Sequence, residues 1–105
     1  MKTVLHRKND PKAITFQDKV DLIKKVVDFL VENKVVDSDC VPLRGTLMGV
    51  LQESGIYLSE SNRLDAMATV IEWVDFVRGS DWQDKNLDIF IDKFDEWTNE
   101  FVGDE

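Results

Sequence analysis

The stretch Thr15–Lys34, TFQDKVDLIKKVVDFLVENK, decides the fold class because its apolar residues recur with the period of an α-helix. Thr15 followed three residues later by Asp18 resembles a capping box and predicts that the helix begins at Phe16. A start at Asp10, with Pro11 in the first helical position, is the alternative. The predicted buried arc comprises Phe16, Val20, Leu22, Ile23, Val26, Val27, Phe29, Leu30 and Val31. The stretch therefore predicts one amphipathic helix held by burial of that arc.

Three further segments with helical periodicity follow, over about 41–54, 61–78 and from residue 80 onward. We expect Asp39 to cap the first of them, Gly55 and Gly79 to end the first and second, and Gly103 to end the third. Ser80 and Gln83 resemble a second capping box. The predicted inner faces are Leu43, Leu47, Met48, Val50 and Leu51; Leu64, Met67, Val70, Ile71, Trp73, Val74 and Val77; and Leu87, Phe90, Ile91, Phe94, Trp97 and Phe101.

These four segments predict an all-α, single-domain bundle of about four helices. The segment over 61–78 is the most apolar, so we expect it to be the central helix. The link between the last two segments is short, which favours an αα-hairpin. With 105 residues, 43% of them hydrophobic, the chain suits one globular domain. We expect residues 1–105 to form that domain, with 1–12 as a flexible basic arm.

Nothing in the first residues resembles a signal peptide, and no segment has the length of a membrane span, so we expect a cytoplasmic protein, in the host cytoplasm if a phage encodes it. The single cysteine, Cys40, cannot form an intrachain disulfide. With His6 as the only histidine, Cys40 is interpreted as a structural or incidental thiol.

The charge is unevenly distributed along the chain. Residues 1–52 contain nine Lys and Arg against seven Asp and Glu, whereas residues 53–105 contain four against fourteen, within a formal net charge of −8. The acidic half would repel phosphates, which argues against direct binding of nucleic acid there. It would attract a partner with a basic surface.

The aspartate ladder, five residues along one edge of the fourth segment, is the main candidate site. At 100° per residue its members fall within about 80° of one another. Aspartate is a poorer helix former than glutamate, and like charges at this spacing repel, so the ladder has a cost that solvation alone does not require. An ordinary solvated face remains the alternative. The ladder consists of Asp81, Asp84, Asp88, Asp92 and Asp95.

The ladder leads to the hypothesis of a small acidic inhibitor, of the DNA-mimic or immunity type, that covers the basic site of a nucleic-acid enzyme or toxin. Asp65, Glu72 and Asp75 on the preceding segment would add a second row of carboxylates. The alternative is a structural or adaptor subunit that dimerises or joins a complex through an exposed face formed by Trp82 and Ile89.

An enzyme would need a catalytic constellation, and the one candidate is a Mg²⁺ site formed by Glu72, Asp75, Asp84 and Asp88. The sequence has no set of basic residues placed for phosphates and no histidine positioned for general base catalysis. Phosphate-loop, dinucleotide and Cys/His metal spacings are also absent. We therefore expect a protein that acts by binding, without catalytic residues, a metal or a cofactor.

Overall fold

The computed structural model describes residues 12–37 and 41–103, and within them four α-helices form the predicted all-α bundle. The helices are α1 (Phe16–Glu32), α2 (Val41–Glu53), α3 (Glu60–Arg78) and α4 (Gln83–Thr98), with two short strands, β1 (Leu58–Ser59) and β2 (Val102–Gly103). The predictions for His6, Asp39, Cys40 and residues 1–11 lie outside the described residues.

Helix α1 begins where the capping box predicts. The Asp18 backbone N–H donates to the Thr15 hydroxyl, and the Thr15 backbone N–H donates to the Asp18 carboxylate, both at 3.0 Å. The alternative start at Asp10 is wrong, because residues 12–15 are not helical. Phe16 was predicted to be buried but is 63% exposed. Helical periodicity gives the direction of a side chain and not whether a neighbouring element reaches that end of the helix.

The four helices form a ring in which each packs against two neighbours. Helix α1 packs against α2 and α4, and α3 packs against the same two helices, so α1 and α3 lie diagonally across the bundle. The expectation that α3 is central agrees with its contacts, which reach α2, α4, both strands and Ser80–Trp82, although α1 buries seven side chains and α3 four. Leu64 and Val77 are about half exposed, because the apolar arc of α3 is wider than its contact with two neighbours. Fully buried side chains at the centre include Val26, Leu30, Leu47, Val70, Val74 and Phe90.

The predicted αα-hairpin between α3 and α4 is confirmed, but its turn differs from the prediction. Gly79, at φ +78°, donates its N–H to the Asp75 carbonyl oxygen at 2.8 Å, and Ser80–Trp82 then form one 3-10 turn. The capping box of Ser80 and Gln83 is wrong, because no side chain caps α4. Gln83 instead donates through Nε2 to both oxygens of the Asp75 carboxylate, at 2.8 Å.

The chain after α4 adds a feature that helical periodicity does not reveal. Helix α4 ends at Thr98 and not at Gly103, which lies in β2. Strand β2 pairs in parallel with β1, with Leu58 opposite Val102. Because β1 directly precedes α3 and β2 follows α4, this pair joins the two open ends of the hairpin.

Candidate partner-binding surface

The middle of the aspartate ladder is an open row of carboxylates. Asp84, Asp88 and Asp92 are exposed on α4, and none of them forms an ion pair with another described residue. At four-residue spacing their Cα atoms rise about 6 Å per step, so the row extends about 12 Å along the helix. Lys93, which could have offset Asp92, lies with its Nζ 3.9 Å from a Glu96 oxygen. These three carboxylates are available to an external cation.

Asp95, at one end of the ladder, is already neutralised inside the protein. Its carboxylate accepts a hydrogen bond from the Arg63 guanidinium, which also donates to Glu60. The Arg63 side chain is only 13% exposed, so this pair holds the start of α3 against α4. The pattern of the fourth segment does not reveal this counter-ion, because Arg63 is 32 residues away from Asp95 in the chain.

Asp81, at the other end of the ladder, lies among positive charges. It is exposed in the 3-10 turn and lines a cavity of about 300 Å³ together with Lys34, Arg78 and Lys85. Their charges reduce the local negative potential at Asp81. The structure thus places a counter-charge near each end of the ladder and leaves its middle open.

The predicted second row is only partly present. Asp65 and Glu72 are exposed on α3, but the Asp75 carboxylate accepts hydrogen bonds from the Trp82 indole and the Gln83 amide within the hairpin.

Phe76, four residues after Glu72, is 88% exposed and was not identified by the sequence analysis. The signal was present, since Phe76 lies outside the buried arc of α3 at helical spacing.

The prediction that Trp82 and Ile89 form an exposed face is wrong. Trp82 is only 6% exposed, its Nε1 donates to the Asp75 carboxylate at 2.5 Å, and its ring meets Phe90 edge to face with centroids 6.4 Å apart. A continuous helix from residue 80 would direct Trp82 to solvent, but it lies in the 3-10 turn, where helical periodicity does not apply. Ile89 is 47% exposed, as predicted, but Trp82 does not lie beside it on the surface.

The proposed Mg²⁺ constellation is not assembled around Asp75, whose carboxylate oxygens are engaged by Trp82 and Gln83. Over residues 12–37 and 41–103, no group of three His, Cys, Asp or Glu side chains is placed to hold a metal ion. None of the helices described has the length and apolar character needed to cross a membrane.

Comparisons with protein families, with curated proteins and with solved structures find no match for this chain. The chemistry of the candidate surface therefore has to be argued from its own residues. That chemistry is a row of exposed carboxylates along one helix, without an assembled metal site in the described part of the chain.

Proposed function

We propose that this protein is an acidic binding protein, without catalytic activity, that inhibits a nucleic-acid enzyme or toxin by covering its basic site. The observation that carries the proposal is the open middle of the aspartate ladder, where Asp84, Asp88 and Asp92 are exposed and unpaired among the described residues. A basic groove that binds phosphates presents Lys and Arg side chains, which carboxylates on a rigid helix can satisfy in place of phosphates.

The spacing of the open aspartates suits a surface that imitates the negative charge of DNA more than its detailed shape. One strand of B-DNA carries a phosphate about every 3.4 Å along its axis, whereas the open aspartates come about every 6 Å. The ladder alone has about half the linear charge density of a strand. Asp65 and Glu72, exposed on the neighbouring helix α3, add negative charge to the same hairpin.

The adaptor alternative loses the surface on which it was based, because Trp82 is buried. A homodimer through the predicted face of Trp82 and Ile89 would require the turn before α4 to open. We therefore keep the inhibitor as the proposed function.

The test compares two double substitutions that change the net charge equally. Asp88→Asn with Asp92→Asn removes two charges from the open part of the ladder. The control, Asp37→Asn with Glu53→Gln, removes two exposed acids, one from the loop after α1 and one from α2. A partner captured from a lysate of the native host would be titrated with each protein at low and high salt. Surface ion pairs contribute about 0.2–1 kcal/mol each, so the ladder variant should bind about 2- to 30-fold more weakly.

The control variant should bind within about twofold of the wild type, because it keeps all five carboxylates of the ladder. The wild type should also show the steeper loss of affinity with salt, and a DNA duplex should displace it from the partner. Equal affinities and equal salt slopes for the ladder variant and the wild type would contradict the proposal. Capture of a partner that DNA does not displace would remove the DNA-mimic part of it.

A further inference from the structure

A groove between α1 and the C-terminal part of α4 is a second candidate site, on a different side of α4 from the ladder. Its main cavity has a volume of about 460 Å³, and an adjoining cavity of about 250 Å³ shares Lys25 and Trp97 with it. Along α1 the lining extends from Asp18 to Glu32, which corresponds to about 21 Å of helix. We name this feature the α1/α4 groove.

A lysine of the protein itself lies against the acidic and aromatic lining of this groove. The Lys12 Nζ lies 3.2 Å from a Glu100 carboxylate oxygen and 5.4 Å from the centroid of the Phe101 ring, and both residues line the main cavity. The Lys12 and Glu100 side chains are more than half exposed. Ion pairs and cation–π contacts at exposed sites are weak, so an external Lys or Arg side chain can replace Lys12 at small cost.

The charges of the main cavity fit a basic ligand. Asp21, Glu96 and Glu100 are exposed along its walls, and Lys25 is the single cation among the described residues that line it. Trp97 and Phe101 contribute aromatic rings. Carboxylates beside aromatic rings suit Lys and Arg, because the charged head pairs with the acid while the aliphatic stem packs on the ring.

We propose that the α1/α4 groove binds a basic, extended segment of a protein partner, with one Lys or Arg side chain in the place that the Lys12 ammonium occupies. An extended chain rises about 3.3 Å per residue, so about six or seven residues would fill the 21 Å groove. The proposal does not depend on the aspartate ladder, because Asp84, Asp88 and Asp92 do not line the groove.

The probe is an eight-residue peptide with Lys or Arg at alternate positions, and a peptide with Gln at those positions is its control. Binding to the isotopically labelled full-length protein would be followed by amide and indole NMR shifts, which report the face that is contacted. We expect shifts around Asp21, Trp97 and Phe101. Asp21→Asn with Glu100→Gln should weaken binding about 2- to 30-fold. Two other variants, Asp88→Asn with Asp92→Asn and Asp37→Asn with Glu53→Gln, should change it by less than about twofold.

A second comparison tests whether Lys12 is the internal occupant. Lys12→Ala frees the place beside Glu100 and should tighten peptide binding about 2- to 5-fold relative to Lys85→Ala. Lys85 is the control, because it is also an exposed lysine and lines the separate cavity beside Asp81, not the groove. Both variants change the net charge equally, so a difference between them reports the occupied place and not the total charge.

Three results would overturn the proposal. Equal weakening by the ladder and groove variants would mean that the peptide responds only to overall charge. Equal peptide affinities of Lys12→Ala and Lys85→Ala would show that Lys12 does not occupy the binding place beside Glu100. Binding that appears only after Lys2, Arg7 and Lys8 are replaced by Gln would assign the groove to the chain's own basic arm. If the ladder variant binds the captured partner as tightly as the wild type while the peptide still binds the groove, the proposed function is refuted and this inference stands.

Discussion

Replacing Trp82 with alanine is expected to lower the free energy of unfolding by about 3–5 kcal/mol, the usual range for a buried aromatic residue. The indole is 6% exposed, and burial of a tryptophan removes about 150–250 Å² from water, or about 4–6 kcal/mol at 25 cal/mol per Å². The hydrogen bond to Asp75 adds to this, but alanine keeps part of the burial and the unfolded chain already buries some apolar surface, so the expected loss lies below the sum.

Two further variants separate the contributions. Trp82→Phe keeps an aromatic ring against Phe90 but removes the indole donor to Asp75, and should cost about 1–2 kcal/mol. Ile89→Ala is the matched control, because Ile89 is 47% exposed and should cost less than about 1 kcal/mol. Trp82→Ala should give the largest of the three losses, because it alone removes a buried ring together with its hydrogen bond.

The measurement is urea unfolding followed by far-ultraviolet circular dichroism, which does not depend on the substituted tryptophan. With a slope of about 1–3 kcal/mol per molar urea, Trp82→Ala should move the midpoint down by about 1–5 M. A loss within about 1 kcal/mol, or a loss no greater than that of Ile89→Ala, would refute the burial of Trp82. The exposed face predicted from the sequence would then be correct.

Two further predictions concern single carboxylates. Asp95→Asn should lower the free energy of unfolding by about 1–2 kcal/mol in thermal unfolding, because the mostly buried guanidinium of Arg63 loses a charged acceptor, and a change as small as that of Asp88→Asn would contradict this role. The pKa of Asp18 is lowered mainly by the hydrogen bond from the Thr15 backbone N–H. The stability this provides is present above the ordinary pKa of the carboxyl and is lost as the pH falls through the lowered value, so below about pH 4 the wild type should lose more stability than Asp18→Asn. Parallel pH profiles of the two proteins would exclude that contribution.

Much of the helical framework is predictable from the sequence because it depends on local interactions. The capping box of Thr15 and Asp18 involves atoms three residues apart, and the end of α3 at Gly79 depends on that residue's tolerance of a positive φ. The exposure of Asp84, Asp88 and Asp92 also follows from helical periodicity, since they lie away from the buried stripe of Phe90 and Phe94. All three features depend only on residues a few positions apart in the chain.

The tertiary structure alone decided which candidate residues remain available. Asp95 is paired with Arg63, Asp75 accepts from Trp82, and Lys12 lies on Glu100, which is 88 residues away in the chain. The α1/α4 groove likewise joins the first and last helices. Periodicity specifies the direction of a side chain relative to its own helix, but counter-ions, donors and covering rings come from elements whose positions depend on the packing of the whole core.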